Sequence, residues 1–544
     1  MATRRQPLIP RWLWPGLFTA ALLIGVALLA FGALWRQAPD TPWQTLWGDS
    51  YVWYVVRFTF WQAFLSAVFS TLPAIVLARA LYRRHFPGRT WLLRLCAMTL
   101  VLPVLVAVFG ILRVYGRQGW LAQGFSALGF DYAFSPYGLQ GILLAHVFFN
   151  LPLATRLLLQ ALESISTEQR QLAAQLGMNA WQTFRIIEWP WLQRQILPSA
   201  ALIFMLCFSS FATVMSLGGG PRATTIELAI YQVLSFDYDP ARAAGLALIQ
   251  MGCCLGLVLL SQRLGSWFAV GNTQQLRWRN PQDSLGGCLG DTLIIFAALL
   301  LLLPPLLAVV LDGLNPAVLT VLKQPALWQT LWTSLRIALG AGALCVILTL
   351  MLLWSSRELK LRQQRQRLAG QLMDISGLLI LAMPGIVLAT GFFLFLNNTI
   401  GLPASPYGLV VTTNALMAIP YALKVLENPM LDVAQRYNPL CQSLDIRGWH
   451  RLRLIELRAL QQPIAQAMAF ACVLSVGDFG IIALFGNEQF RTLPFYLYQQ
   501  IGAYRSADGA VTALLLMLLC FALFTVMEKL TLWQKRADRH AVVE

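Results

Sequence analysis

The chain has 544 residues, of which 58% are hydrophobic and only 12% charged, with a mean hydropathy of +0.62. Soluble globular domains carry about 45–50% apolar and about 25% charged residues, so this chain lacks the polar surface to face water and reads as a membrane protein. Its net charge of +16 does not call for nucleic acid, because the cations sit in particular loops between apolar blocks, where membrane orientation accounts for them.

In chain order, Arg4, Arg5 and Arg11 precede an apolar run ending at Leu34-Trp35-Arg36. That run exceeds the about 7–15 residues of a signal-peptide core and lacks a small-x-small site, so it is expected to be an uncleaved first helix. A bilayer crossing takes about 20 apolar residues. Such blocks fall at 13–35, 55–80, 92–114, 138–161, 197–217 and 242–262, and again at 291–312, 328–354, 374–397, 408–426, 464–486 and 509–530. They predict an all-α membrane protein of about 12 transmembrane helices in two tandem six-helix halves. The halves are 1–270 and 291–544, joined by a linker at 271–290.

The loops alternate in charge. The N-terminus, 82–89, 163–195, 262–291, 357–367, 427–462 and the tail hold about 26 Lys or Arg, the intervening loops about six, a positive-inside bias that places the basic set and both termini in the cytoplasm. The nine cysteines lie mostly in apolar blocks without CxxC spacing or His partners, which suits packing rather than metal.

The two halves echo each other. Residues 171–201 (QLAAQLGMNAWQTFRIIEWPWLQRQILPSAA) align without a gap on 439–469 (PLCQSLDIRGWHRLRLIELRALQQPIAQAMA), a shift of 268 that pairs Leu172 with Leu440, Leu176 with Leu444, Trp181 with Trp449, Ile187 with Ile455 and Glu188 with Glu456. Ser135-Pro136-Tyr137-Gly138 recurs as Ser405-Pro406-Tyr407-Gly408, Pro152 meets Pro420, and Phe211 meets Phe479. Because each half has an even number of spans, the halves share one orientation and a pseudo-axis along the membrane normal, as in a parallel duplication. Two like halves facing each other leave a central path, the architecture of a transporter.

Each half puts its longest basic loop, 163–195 or 427–462, between its fourth and fifth spans. In the first, 168–176 favours helix, Gly177 ends it in a left-handed conformation, and Asn179 caps a second short helix limited by Pro190. Trp181, Phe184 and Ile187 line one face of it, repeated as Trp449, Leu452 and Ile455. Helices of two or three turns fall below the roughly 12–15 residues that are marginally stable in water. The apolar stripe is therefore buried either in the lipid interface, helped by Arg185, Arg194, Arg451 and Arg453, or in a groove of a cytoplasmic partner.

The first copy resembles the signature of ABC-importer permeases, E-A-A, three residues, G, nine residues, I-x-L-P. Here it stands as Gln171-Leu172-Ala173, Gly177, Ile187 and Trp189-Pro190; the second copy is more worn, with Pro439 and Asp445 at the acidic and glycine positions. The resemblance implies a type I ABC importer permease (MetI-like) fold and a short helix in each half that sits in a cleft of a cytoplasmic ABC ATPase dimer. It places ATP and Mg on that dimer, with no cofactor on this chain, and implies a periplasmic substrate-binding protein, the lipid bilayer of the bacterial inner membrane as surroundings, and no enzymatic activity of its own. Gln171, Ala173, Gly177, Trp181, Phe184, Ile187, Glu188, Pro190, Trp449, Leu452, Ile455 and Glu456 are the expected coupling residues. Glu188 and Glu456 could pair with cations of the ATPase or stay solvated. The better-kept first loop is expected to tolerate mutation less.

The fused layout is similar to the ferric-iron and thiamine permease group. Segments such as FWQAFLSAVFSTLPAIVLARALYRR, SPYGLQGILLAHVFFNLP and NALMAIPYALKVLENPM look closely like the thiamine and thiamine pyrophosphate permeases of enteric bacteria. Only that likeness supplies thiamine as substrate; ferric iron is the alternative within the group.

Charge inside a membrane marks function by default. Asp478 is the clearest embedded acid; it either faces a cationic substrate or satisfies backbone loosened by Gly477 and Gly480, and the repeat sets Ser210 opposite it. His146 reads as a packed, hydrogen-bonded histidine. Gly218-Gly219-Gly220-Pro221 lacks the Lys-Ser/Thr ending of a phosphate loop, and no Walker motif occurs. Two other readings compete with the permease. An ion-coupled secondary transporter should show several embedded acids or Gly/Pro-broken helices at corresponding places, and one clear embedded acid with a duplicated loop argues against it. An intramembrane enzyme should show an HExxH motif or paired acids at membrane depth, and the sequence has neither.

Overall fold

A computed structural model describes residues 13–37, 43–84, 86–264, 285–361, 370, 373–374, 376–377, 380, 383–399, 401, 406–444, 446, 448–487 and 490–540. Among them the chain is mostly helical and contains no strand. The helices used below are α1 (Trp14–Gln37), α2 (Ser50–Arg83), α3 (Arg89–Val101), α4 (Val104–Tyr115), α5 (Leu139–Glu163), α6 (Thr167–Gln175), α7 (Ala180–Thr183), α8 (Trp189–Phe208), α9 (Phe211–Leu217), α10 (Ile226–Gln232) and α11 (Pro240–Leu264) in the first half. The second half supplies α12 (Leu285–Gly313), α13 (Pro325–Leu361), α14 (Gly385–Thr399), α15 (Tyr407–Ser443), α16 (Gly448–Arg451), α17 (Leu457–Gly477), α18 (Gly480–Phe485), α19 (Leu493–Gly502) and α20 (Ser506–His540). Most of the expected linker at 271–290 lies outside the described residues, which resume inside α12.

Among the described residues ten helices are long and apolar enough to cross a bilayer, and α3 with α4 makes an eleventh if that bent pair is one span. A twelfth was expected at 374–397, part of which lies outside the described residues; α14 there has 15 residues, short of the about 20 of a crossing. The expected third span, 92–114, is not continuous. Leu102 is extended (φ −74°, ψ 126°) ahead of Pro103, and Arg89–Thr99 meets Val104–Ala127 at 114°. A proline has no N–H for the ladder and drives the residue before it out of the helical region.

The fifth and eleventh expected spans break as well, and at matching places. α8 ends at Phe208 and α9 starts at Phe211; α17 ends at Gly477 and α18 starts at Gly480. The duplication read from the sequence recurs in the helix boundaries: α5 and α15, α7 and α16, and α8 and α17 each begin 268 residues apart.

In each half three helices pack mutually into a core, α2, α5 and α8 in the first and α13, α15 and α17 in the second. The first helix of each half then crosses over. α1 lies on α13 and α14, while α12 lies on α2 and α4. The Gly16 amide donates to the Ser355 hydroxyl (2.9 Å) where α1 meets α13. Two glycines permit the close approach: a methyl on Gly391 would lie 2.8 Å from Ala30 Cβ, and one on Gly110 would run into the Pro305 carbonyl oxygen. Small residues at helix crossings are how membrane helices gain packing without a hydrophobic drive.

Tertiary contacts also sort the loops into two ends. Arg84 pairs with Asp291 (2.7 Å) and Arg89 with Glu163 (3.1 Å) at one end. At the other, Arg242 pairs with Asp49 (2.8 Å), Arg113 with Asp312, and Tyr54 donates to the Arg222 carbonyl (2.5 Å). The first two pairs bring the basic loops 82–89, 163–195 and 262–291 together, as far as their residues are described, at the first end.

Candidate functional site

The 163–195 loop builds as its sequence dictates up to Gln182. Ser166 caps α6 by accepting from the Gln169 amide. Gly177 adopts φ +68°, the left-handed conformation that costs an L-residue with a side chain about 1–2 kcal/mol, and the Met178 amide closes the turn on the Ala173 carbonyl (3.1 Å). Asn179 and Gln182 form a reciprocal capping box on α7.

Beyond that the structure departs from expectation. α7 does not stop before Pro190. It runs through a π-helical turn, Phe184–Glu188, straight into α8, with Pro190 in the first turn of α8, where its missing N–H is tolerated. The second loop repeats this turn at Leu452–Glu456 although Arg458 replaces the proline. Proline is therefore not its cause. What the two turns share is a buried glutamate at their C-terminal end, each reaching an arginine on the second span of its own half.

Glu188 accepts from Arg79 Nε (2.7 Å); the same guanidinium donates to the Ala180 carbonyl (3.1 Å) and lies 4.4 Å over the Phe184 ring. Glu456 accepts from Arg357 Nη2 (2.7 Å), with Arg451 Nε at 2.8 Å, Glu358 3.8 Å from both arginines, and Arg357 over Trp354. Both glutamates, expected to face solvent or a partner's cations, are committed inside the chain. A carboxylate taken out of water must be paired and hydrogen-bonded, and the wider π turn carries it inward to its arginine.

This fixes which face of each loop is free. Phe184, Ile187, Leu452 and Ile455 are half-buried against the bundle, so the expected stripe points mostly inward; Trp181 is exposed, and the Trp449 side chain lies outside the described residues. Gln171 and Gly177 are exposed and Ala173 is buried. The exposed ridge is instead Leu172, Leu176 and Ile186, and 268 residues on it recurs as Leu440, Leu444 and Leu454, with Leu176 at 65% and Leu444 at 60% exposure. Trp181 and Trp189 extend the first copy, and a groove between α6 and α8 is lined by Leu172, Leu176, Met178, Ile186, Pro190 and Trp191. The sequence carried a signal for this: the repeat pairs those leucines, but helical spacing drew attention to the other face.

The broken spans gather the remaining candidates. Ser210 and Asp478 occupy the two breaks at corresponding positions. Ser210 Oγ is held by His146 Nε2 (2.9 Å), whose Nδ1 contacts Ser66 Oγ (2.8 Å), so His146 is the packed, hydrogen-bonded residue expected. Its counterpart Asn414 donates to Ser475 Oγ (2.9 Å). The Asp478 carboxylate accepts from the Gly480 and Ile481 amides, and its Oδ2 is buried with no hydrogen-bond partner among the described residues. Beside the breaks, the Phe211 and Phe479 rings stack across the two halves, centroids 6.0 Å apart. Among the described residues no group of three or more His, Cys, Asp or Glu converges to hold a metal.

Comparison with known proteins agrees with this architecture. The family model described as "Binding-protein-dependent transport system inner membrane component" matches residues 70–269, which include the whole first loop. The chain is 72% identical over 530 residues to the thiamine transport system permease protein ThiP of Escherichia coli (strain K12), covering 97% of this chain and 98% of that protein. It is likewise 72% identical to the protein of the same name in Salmonella typhimurium (97% and 98% covered) and 41% identical to that of Haemophilus influenzae (91% and 92%). With helices that cross a membrane, a duplicated loop and near full-length identity at this level, the chain belongs to the thiamine transport system permeases, a family of binding-protein-dependent inner membrane transport components.

Proposed function

We propose that this chain is the transmembrane subunit through which thiamine, and its pyrophosphate ester, enters the cytoplasm from the periplasm. In this reading the basic end and both termini face the cytoplasm. Substrate arrives on a periplasmic substrate-binding protein, and ATP with Mg is consumed on a separate cytoplasmic ABC ATPase dimer. Closure of that dimer rocks the halves about their pseudo-axis and opens the path alternately to each side. Thiamine rests on the relatives' names together with their full-length identity to this chain.

The observation that carries the mechanism is the duplicated ridge of Leu172, Leu176 and Ile186 with Leu440, Leu444 and Leu454. Covering one such side chain is worth about 1.5–3 kcal/mol, and two equivalent ridges suit the two equivalent clefts of a dimer. Residues Gln171, Gly177 and Trp181 border the first ridge, while the two buried glutamates tie each loop to its half, so a push on the loop moves the helices behind it.

The test is copurification with the candidate ATPase and binding protein, followed by uptake of labelled thiamine into proteoliposomes. Leu176→Asp combined with Leu444→Asp should abolish ATPase association while the melting temperature of the chain in detergent changes little. Retained assembly would sink the docking assignment. Uptake of ferric iron instead of thiamine would overturn the substrate, and uptake that follows an ion gradient with ATP depleted would overturn the energy source.

A further inference from the structure

We propose that Phe211 and Phe479 form a gate on the path between the halves that stacks on a flat organic cation as it passes, with Asp478 supplying the countercharge. This deepens the thiamine reading above and rests on it.

Each half contributes one ring from the same place in its duplication, 268 residues apart: Phe211 opens α9 after the break in the fifth expected span, and Phe479 caps α18 at the break in the eleventh. The rings face each other at 26° with centroids 6.0 Å apart. Each is backed by its own aromatic partners: Tyr231 stands edge-on to Phe211 at 5.4 Å, while Tyr498 at 5.0 Å and Phe495 at 6.4 Å flank Phe479. A contact made of one ring from each half must part when the halves separate, and parting exposes two aromatic faces to the path. Such faces attract cations and flat rings. They offer nothing to ferric iron, which takes hard oxygen donors.

Charge at the breaks is one-sided. Ser210 is neutral and tied to His146. Asp478 keeps a buried Oδ2 without a hydrogen-bond partner among the described residues. Gly480 brings its side of the break against Phe211: a methyl there would lie 3.4 Å from the Phe211 ring and 4.0 Å from Asp478 Oδ1. One carboxylate beside a pair of rings matches a ligand with one positive charge on a planar body. A discontinuous helix pair in corresponding positions is also where transporters place their sites.

The experiment uses the whole chain assembled with its ATPase and binding protein in proteoliposomes, with uptake and ATP hydrolysis measured together. Phe479→Leu and Phe211→Leu should each lower thiamine uptake about tenfold, the worth of one ring–cation contact, while ATP hydrolysis persists, so that thiamine moved per ATP falls. Phe479→Tyr should retain most uptake. Asp478→Asn should lower uptake of thiamine several-fold more than uptake of its pyrophosphate ester, whose phosphates reverse the net charge. Leucine variants that transport as the unaltered chain does, or a Phe479→Tyr variant as poor as Phe479→Leu, would overturn the gate alone. An unaltered chain that takes up no thiamine would overturn both the gate and the thiamine reading beneath it.

Discussion

The two loops are copies of one design with different strength of attachment. In the first, Arg79 keeps 23% of its side chain exposed, and its partner Glu188 is 7% exposed. In the second, Arg357 and Glu456 are 2% and 1% exposed, and Arg451 and Glu358 complete a cluster of two cations and two anions. The loop that keeps the recognisable signature is thus the less deeply anchored one, and the worn loop is the better buried. Signature and anchorage are not the same set of residues. Of the signature residues Gln171, Leu172 and Gly177 face outward while Ala173 is buried, whereas the glutamate and its arginine face inward, where desolvation demands that they pair.

That contrast gives the largest expected effect. Glu456→Ala strands two arginines in a dehydrated site, and losing one member of a buried pair costs about 3–5 kcal/mol. Glu188→Ala leaves an arginine that water can reach, so its cost is about 1.5–3 kcal/mol, the worth of a hydrogen bond to a charged group. Melting temperatures in detergent should therefore fall further for the second loop. Equal losses would show that burial does not separate them.

A smaller difference is expected at the crossover of the first helices. Gly110→Ala drives a methyl into the Pro305 backbone oxygen, whereas Gly391→Ala meets the side chain and backbone of Ala30. Overpacking costs about 1–3 kcal/mol, with Gly110 toward the upper end because a carbonyl in a helix cannot swing aside. Proteolysis across the 271–290 linker, read as separation of the two halves in detergent, would rank the two variants. A reversed order would place the tighter crossover at α1.

The smallest effect sharpens the comparison of signatures. Gly177→Asp installs the residue that the second copy carries at its counterpart, Asp445. At φ +68° the cost is about 1 kcal/mol, since Asp tolerates the left-handed region better than most residues. Stability should barely change while ATPase association weakens. Unchanged association would mean that this glycine serves only the turn.

Much of this was legible beforehand because its causes are local. Apolar run length located most of the spans, a glycine and an Asx cap set the turn between α6 and α7, and the repeat was visible because the same local signals recur after 268 residues. The breaks were less legible. Gly477 and Gly480 hinted at one, but Ser209-Ser210 carries no breaker, and only its equivalence to the other makes it readable. Glu188 and Glu456 read as solvent- or partner-facing acids because they lie in basic loops; the arginines that bury them stand 109 and 99 residues away, beyond any local signal.

The sequence alone therefore determined that the chain is a membrane protein, that it is duplicated, and which loops carry the repeated polar stretch, since each depends on residues close together along the chain. Tertiary structure decided which face of those loops is free, that the first helix of each half belongs to the other half's packing, and that Phe211 meets Phe479. The first of these depends on charge pairs far apart in sequence, Arg79 with Glu188 across 109 residues and Arg357 with Glu456 across 99. No local propensity encodes them; the cost of leaving a charge unpaired in a dehydrated interior does.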